Sequence, residues 1–149
     1  MRTDATTRST RAAQLFVAIN ALVIAFQFAL AAGAPWGHLT MGGSYSGALP
    51  PRMRVVAAGS GLLLVAFSAI VAARAGLILP AWQRISRKLV WGVVAYMVVG
   101  TVANAATPSF WERVIWLPTV LVLAGCALVV ARGPQLADQG VAGSRHLGH

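Results

Sequence analysis

The chain has 149 residues, of which 58% are hydrophobic and only 10% charged. A soluble domain carries about a quarter charged residues, so an ordinary water-soluble fold is excluded. The net charge of +9 would suit nucleic acid, but the basic residues flank long apolar runs instead of forming one patch, and no nucleic-acid partner is expected.

The opening MRTDATTRSTR carries Arg2, Arg8 and Arg11 and leads into Leu15–Pro35, which has no charge. An uncharged run of about 18 residues or more reads as a helix that crosses the ~30 Å hydrocarbon core of a bilayer. The basic start and the ALAAGA segment also resemble a secretory leader. The apolar run is longer than a leader's, so a retained first span over about 12–33 is expected. It contains Asn20 and Gln27, seven residues apart and therefore on one helix face. Amides in a membrane turn into the bundle and bond across helices.

APWGHLTMGGSYSGALPPR, residues 34–52, follows. Gly42-Gly43 can take the positive φ values of a two-residue turn, so a short β-hairpin is one expectation and an irregular glycine-rich loop the other. Trp36 and Tyr45 are placed to plug the mouth of a bundle.

A second span is expected over about 53–79, with Ala57, Gly61 and Ser68 near one face. Arg74 would then snorkel to the headgroups while the AGLIL segment extends the helix toward Pro80. Arg84, Arg87 and Lys88 precede a third span over about 86–106, in which Gly92, Tyr96, Gly100 and Asn104 recur every four residues. Small residues at that spacing allow close approach of helix backbones, within one chain or between two.

The last span, about 110–132, has a sequence-level start signal. Ser109 to Glu112 reads S-x-x-E ahead of an apolar run, the pattern of a capping box. Pro118 falls inside this helix and predicts a kink. Residues 133–149 are polar and glycine-rich and are expected to form a flexible tail.

These readings give an all-α membrane protein, a four-helix bundle running up-down-up-down and occupying residues 1–132. Nine basic residues (Arg2, Arg8, Arg11, Arg74, Arg84, Arg87, Lys88, Arg132, Arg145) fall on one side and three (Arg52, Arg54, Arg113) on the other. The positive-inside rule then puts both termini and the tail in the cytoplasm and the 34–52 loop outside. Eleven arginines against one lysine suggest a GC-rich bacterial genome, hence a bacterial plasma membrane.

Three motifs, APWGHLTMGG, LPPRMR and NAATPSFWERVIWLP, resemble an uncharacterised family of small four-span bacterial membrane proteins. Its marks are Trp36, Gly37, Gly42, Gly43, Leu49, Pro50 and Arg54, then Asn104, Thr107, Ser109, Glu112, Arg113, Trp116 and Pro118. The resemblance implies a fold and a topology and carries no activity over.

Candidate chemistry is sparse. His38 is the only histidine near the loop, too few for a metal site, and no cofactor is expected. The single cysteine, Cys126, excludes disulfide exchange. Asp4, Glu112 and Asp138 are the only acids and none lies mid-span, which argues against ion-coupled transport. Arg52, Arg54 and Arg113 sit near helix N-termini, where the dipole disfavours cations. Pairing of Arg54 or Arg52 with Glu112 is one expectation; an anionic headgroup or ligand held by them is the other. His38, Tyr45, Arg52, Arg54, Asn104, Glu112 and Arg113 are therefore the candidate site. Two functions remain. The favoured one is a non-catalytic module that packs against a membrane partner or a second copy of itself. The alternative is a binder of a lipid or small anionic ligand, conceivably an enzyme, working under the 34–52 loop.

Overall fold

The computed structural model describes residues 2–134. Four α-helices make up the architecture: α1 (Arg2–Ala32), α2 (Pro51–Arg74), α3 (Gln83–Ala106) and α4 (Phe110–Arg132). All four are long and apolar enough to cross a membrane. The expected tail begins inside this range at Gly133, and its remainder lies outside the described residues.

Beyond the polar first turns of α1 and α3, the helices are apolar on every side, and helices of that kind either sit at the centre of a large protein or face lipid. Here the outward residues are large and apolar: Leu22, Val55, Leu62, Val99, Val102 and Phe110 are each more than 60% exposed. A soluble monomer rarely exposes so continuous an apolar surface. The architecture is that of a multi-pass membrane protein.

Two helices end on glycines that the hydropathy pattern hides. Gly33 has φ 104°, and the amides of Gly33 and Ala34 donate to Leu30 O and Ala29 O. Gly76 has φ 73°, and the amides of Gly76 and Leu77 donate to Ala73 O and Ala72 O. Both are Schellman caps, in which a left-handed residue lets two orphan carbonyls be satisfied. The second cap ends α2 at Arg74, so the expected extension through AGLIL does not form. A 3₁₀ turn, Pro80–Trp82, then leads straight into α3, which starts at Gln83, a little earlier than expected. α1 in turn begins at Arg2, because its polar prefix contains neither proline nor glycine to stop it. α4 matches its expected bounds and runs through Pro118.

Consecutive helices are antiparallel and form a ring. α1 packs on α2 and α4, and α3 packs on α4 and more lightly on α2. The core runs down the centre through Phe16, Leu64, Val71, Val93, Met97 and Leu123. Asn20, fully buried, fastens α1 to α2: its amide donates to Leu64 O at 2.9 Å and to Ser68 Oγ at 2.8 Å. The small face of α2 is spent on the same contact, with the Phe28 ring lying against Gly61. On α3, Gly100 admits Val120 of α4. These faces close the bundle itself.

Candidate functional site

Segment 34–50 covers one end of the bundle. Among the described residues there is no strand. In place of a hairpin the segment makes two 3₁₀ turns, Gly37–Leu39 and Met41–Gly43. Met41, Gly42 and Gly43 have φ 53°, 71° and 73°. Three successive left-handed residues coil the chain and leave no register for two paired arms.

Four contacts hold this cover in place. The Gly37 amide donates to Gly47 O at 2.9 Å and closes the segment on itself. Leu49, 3% exposed, enters an apolar cluster with Leu30 and Ala57, and Tyr45 packs on its edge. Phe26 of α1 lies between two indoles, stacked on Trp36 at 6.0 Å and tilted against Trp116 at 4.7 Å between ring centroids. The indole N–H of Trp116 donates to Leu39 O at 2.6 Å. An aromatic and a backbone acceptor are thus paired where the chain leaves the apolar layer.

Glu112 supplies the polar connection. Its Oε2 accepts from the Gly42 amide at 2.8 Å and from Thr107 Oγ1 at 2.8 Å. The capping box forms in altered shape. The Glu112 amide donates to Ser109 Oγ at 3.3 Å, as expected, but the Ser109 amide points at Thr107 Oγ1 at 3.4 Å. The threonine hydroxyl therefore sits between N-cap and carboxylate, and frees Glu112 to reach the loop. A carboxylate in the first helical turn is also favoured by the dipole.

The arginines take other partners. Arg54 Nε donates to Ala31 O at 2.7 Å, so its charge caps the C-terminal end of α1, where the dipole favours a cation. Its guanidinium lies beneath Gly33, 3.4 Å from where a Cβ would stand. Arg113 donates to Thr107 O. Arg52 and His38 are exposed. None of Arg52, Arg54 and Arg113 bonds to Glu112, so the expected pairing of Arg54 or Arg52 with Glu112 does not form, and Glu112 ties α4 to the loop instead.

Beneath the cover lies a cavity of about 190 Å³. Its apolar wall is Val23, Phe26, Leu64, Met97, Val120 and Leu123, with Trp116 at the side. Into it face Gln27 of α1, Tyr96 and Asn104 of α3, Glu112 and Thr119 of α4, and Thr40 from the loop. The Asn104 amide bonds back to Gly100 O at 2.8 Å, which leaves its oxygen toward other donors. Of the seven candidate residues, the structure brings Asn104 and Glu112 to this cavity, while Tyr45 and Arg54 brace its cover from behind. Gln27 joins them from the interhelical amides. The Tyr96–Gly100–Asn104 spacing reads as a packing face, and it serves as one, with Tyr96 against Phe67 and Gly100 against Val120, while also forming a wall of the cavity. Among the described residues the lining contains one carboxylate and no cation.

No protein-family model matches this chain, and no curated protein or solved structure matches it.

Proposed function

We propose that this is a non-catalytic multi-pass protein of a bacterial plasma membrane that binds a small, uncharged or cationic molecule in the cavity under the 34–50 segment. Both termini are cytoplasmic in this reading, and the cover faces outward, a placement that the charge asymmetry supports. The observation that carries it is the cavity lining. Amides, hydroxyls and a carboxylate converge on a space that a bundle packed only for stability would fill with apolar side chains. Polar side chains inside an apolar bundle are costly unless they find partners there, so their gathering around one space supports a binding role. With Glu112 the only charged group in the lining among the described residues, and Arg54 and Arg113 bonded to backbone carbonyls, an anionic ligand is a poor match. The volume is below the ~300 Å³ of ordinary ligand pockets, which selects a compact molecule.

The packing-module reading loses Ala57, Gly61 and Gly100, which are used within the chain, and keeps Gly92, which is exposed. Native mass spectrometry of protein extracted gently from its own membrane separates the two. The expected result is a retained small mass that is absent from Asn104→Leu, which removes the amide from the cavity. Copurification of a second polypeptide or of a dimer, without any small mass, would return the assignment to the packing module.

A further inference from the structure

The opposite end of the bundle holds a second cavity, of about 380 Å³. Its wall includes Arg74 of α2, Arg87 and Trp91 of α3, and Arg132 of α4. Among the described residues no acidic one lines it. Arg74 does not snorkel. It is 6% exposed and lies against the C-terminal end of α4, where Nη2 donates to Ala131 O at 3.4 Å and to Gly133 O at 2.5 Å. Its Nε and Nη1 are buried and have no hydrogen-bond partner among the described residues.

A buried guanidinium with two of its nitrogens left without acceptors is costly, and two further arginines at the same cavity add repulsion. Carbonyl oxygens take one nitrogen of Arg74 but bring no countercharge. An anion with several acceptor oxygens would bring that countercharge, and the planar fork of arginine matches such an anion well. Three helices each contribute one guanidinium, so the cavity is assembled by the fold and is no accident of one basic segment. Trp91, exposed at its edge, is the residue type that settles at headgroup level.

We infer that this cavity binds a phosphate group, contributed by an anionic phospholipid of the facing leaflet or by a soluble phosphate. The inference depends on the four-span reading and is independent of the cavity under the loop. Basic pockets between spans on the cytoplasmic side are a known setting for anionic headgroups.

The test uses the full chain, stripped of lipid in a neutral detergent, and follows its thermal unfolding. One arm adds phosphatidylglycerol, a second adds phosphatidylcholine, and a third adds inorganic phosphate. Arg74→Ala would confound binding with folding, so the informative variant is Arg87→Gln with Arg132→Gln, both exposed. Its control is Arg84→Gln with Lys88→Gln, which removes the same charge from exposed positions outside the cavity. The expected result is a rise in unfolding temperature with phosphatidylglycerol and none with phosphatidylcholine. It should need at least tenfold more lipid in the first double variant and an unchanged amount in the control. A rise with inorganic phosphate of the same mutational pattern assigns the site to a soluble phosphate and supports the inference equally. No rise in any arm, or equal losses in the two double variants, overturns it, since the latter is nonspecific attraction of anions to a basic surface.

Discussion

Gly37→Ala should dislodge the cover of the loop-end cavity, while Gly47→Ala should leave it intact. A Cβ on Gly37 would stand 2.6 Å from Gly47 O and 2.7 Å from Tyr45 Cβ. The first of these is backbone and is already held by the Gly37 amide, so it cannot turn aside. Overpacking typically costs about 1–3 kcal/mol, more where the surroundings cannot relax, and the upper end is expected here. Gly47 has open space around its Cβ position and no positive φ, so its alanine variant should lie within about 0.5 kcal/mol of wild type. Thermal unfolding in detergent, together with tryptic cleavage at Arg52, measures both. Equal behaviour of the two variants would mean that the close approach at Gly37 does not organise the segment.

Glu112→Ala should be the next most damaging change, and Glu112→Gln should be much milder. Alanine strands the Gly42 amide and the Thr107 hydroxyl, both of which lose a 2.8 Å acceptor. Leaving buried donors unsatisfied costs about 1–3 kcal/mol. Thr107 is buried, so water replaces its partner poorly. Glutamine keeps an acceptor oxygen and gives up only the favourable charge at the helix start, about 0.3–1 kcal/mol. If the two variants were equally destabilised, the charge of Glu112 would be its main contribution. An ion pair with an arginine would then describe the site better than the hydrogen bonds to the loop.

The four spans are legible because a chain of this composition has few places for its charges. Each uncharged run meets the length that the bilayer demands, and the charges mark the ends. The start of α4 is legible for a local reason: Ser109 and Glu112 lie within one turn, so their relation needs no tertiary knowledge. The end of α2 is also written locally, in Gly76, but the apolar residues after it mask the stop. What the sequence conceals is partner choice across long separations. Arg54 answers Ala31, 23 residues away, and Glu112 answers Gly42, 70 residues away. Charge counting pairs arginine with glutamate. The fold satisfies each with uncharged backbone groups, because a helix C-terminus and a coiled loop present oriented dipoles at close range.

Arg74 fails the local reading in the same way. A single arginine at the end of a span suggests snorkelling, and only the packing of α2 on α4 reveals that it is enclosed. The two ends of the bundle thus carry opposite character. One has a carboxylate and amides under an aromatic cover, and the other has three guanidiniums around an open cavity.

Assigning these ends to the two membrane faces is central, and single-cysteine labelling in intact cells tests it most directly. In a Cys126→Ala background, cysteines are introduced by Ser46→Cys and Thr7→Cys, both at exposed positions. A membrane-impermeant maleimide should label the position 46 variant in whole cells and the position 7 variant only after permeabilisation. The reverse pattern would contradict the assignment and put the covered cavity on the cytoplasmic face.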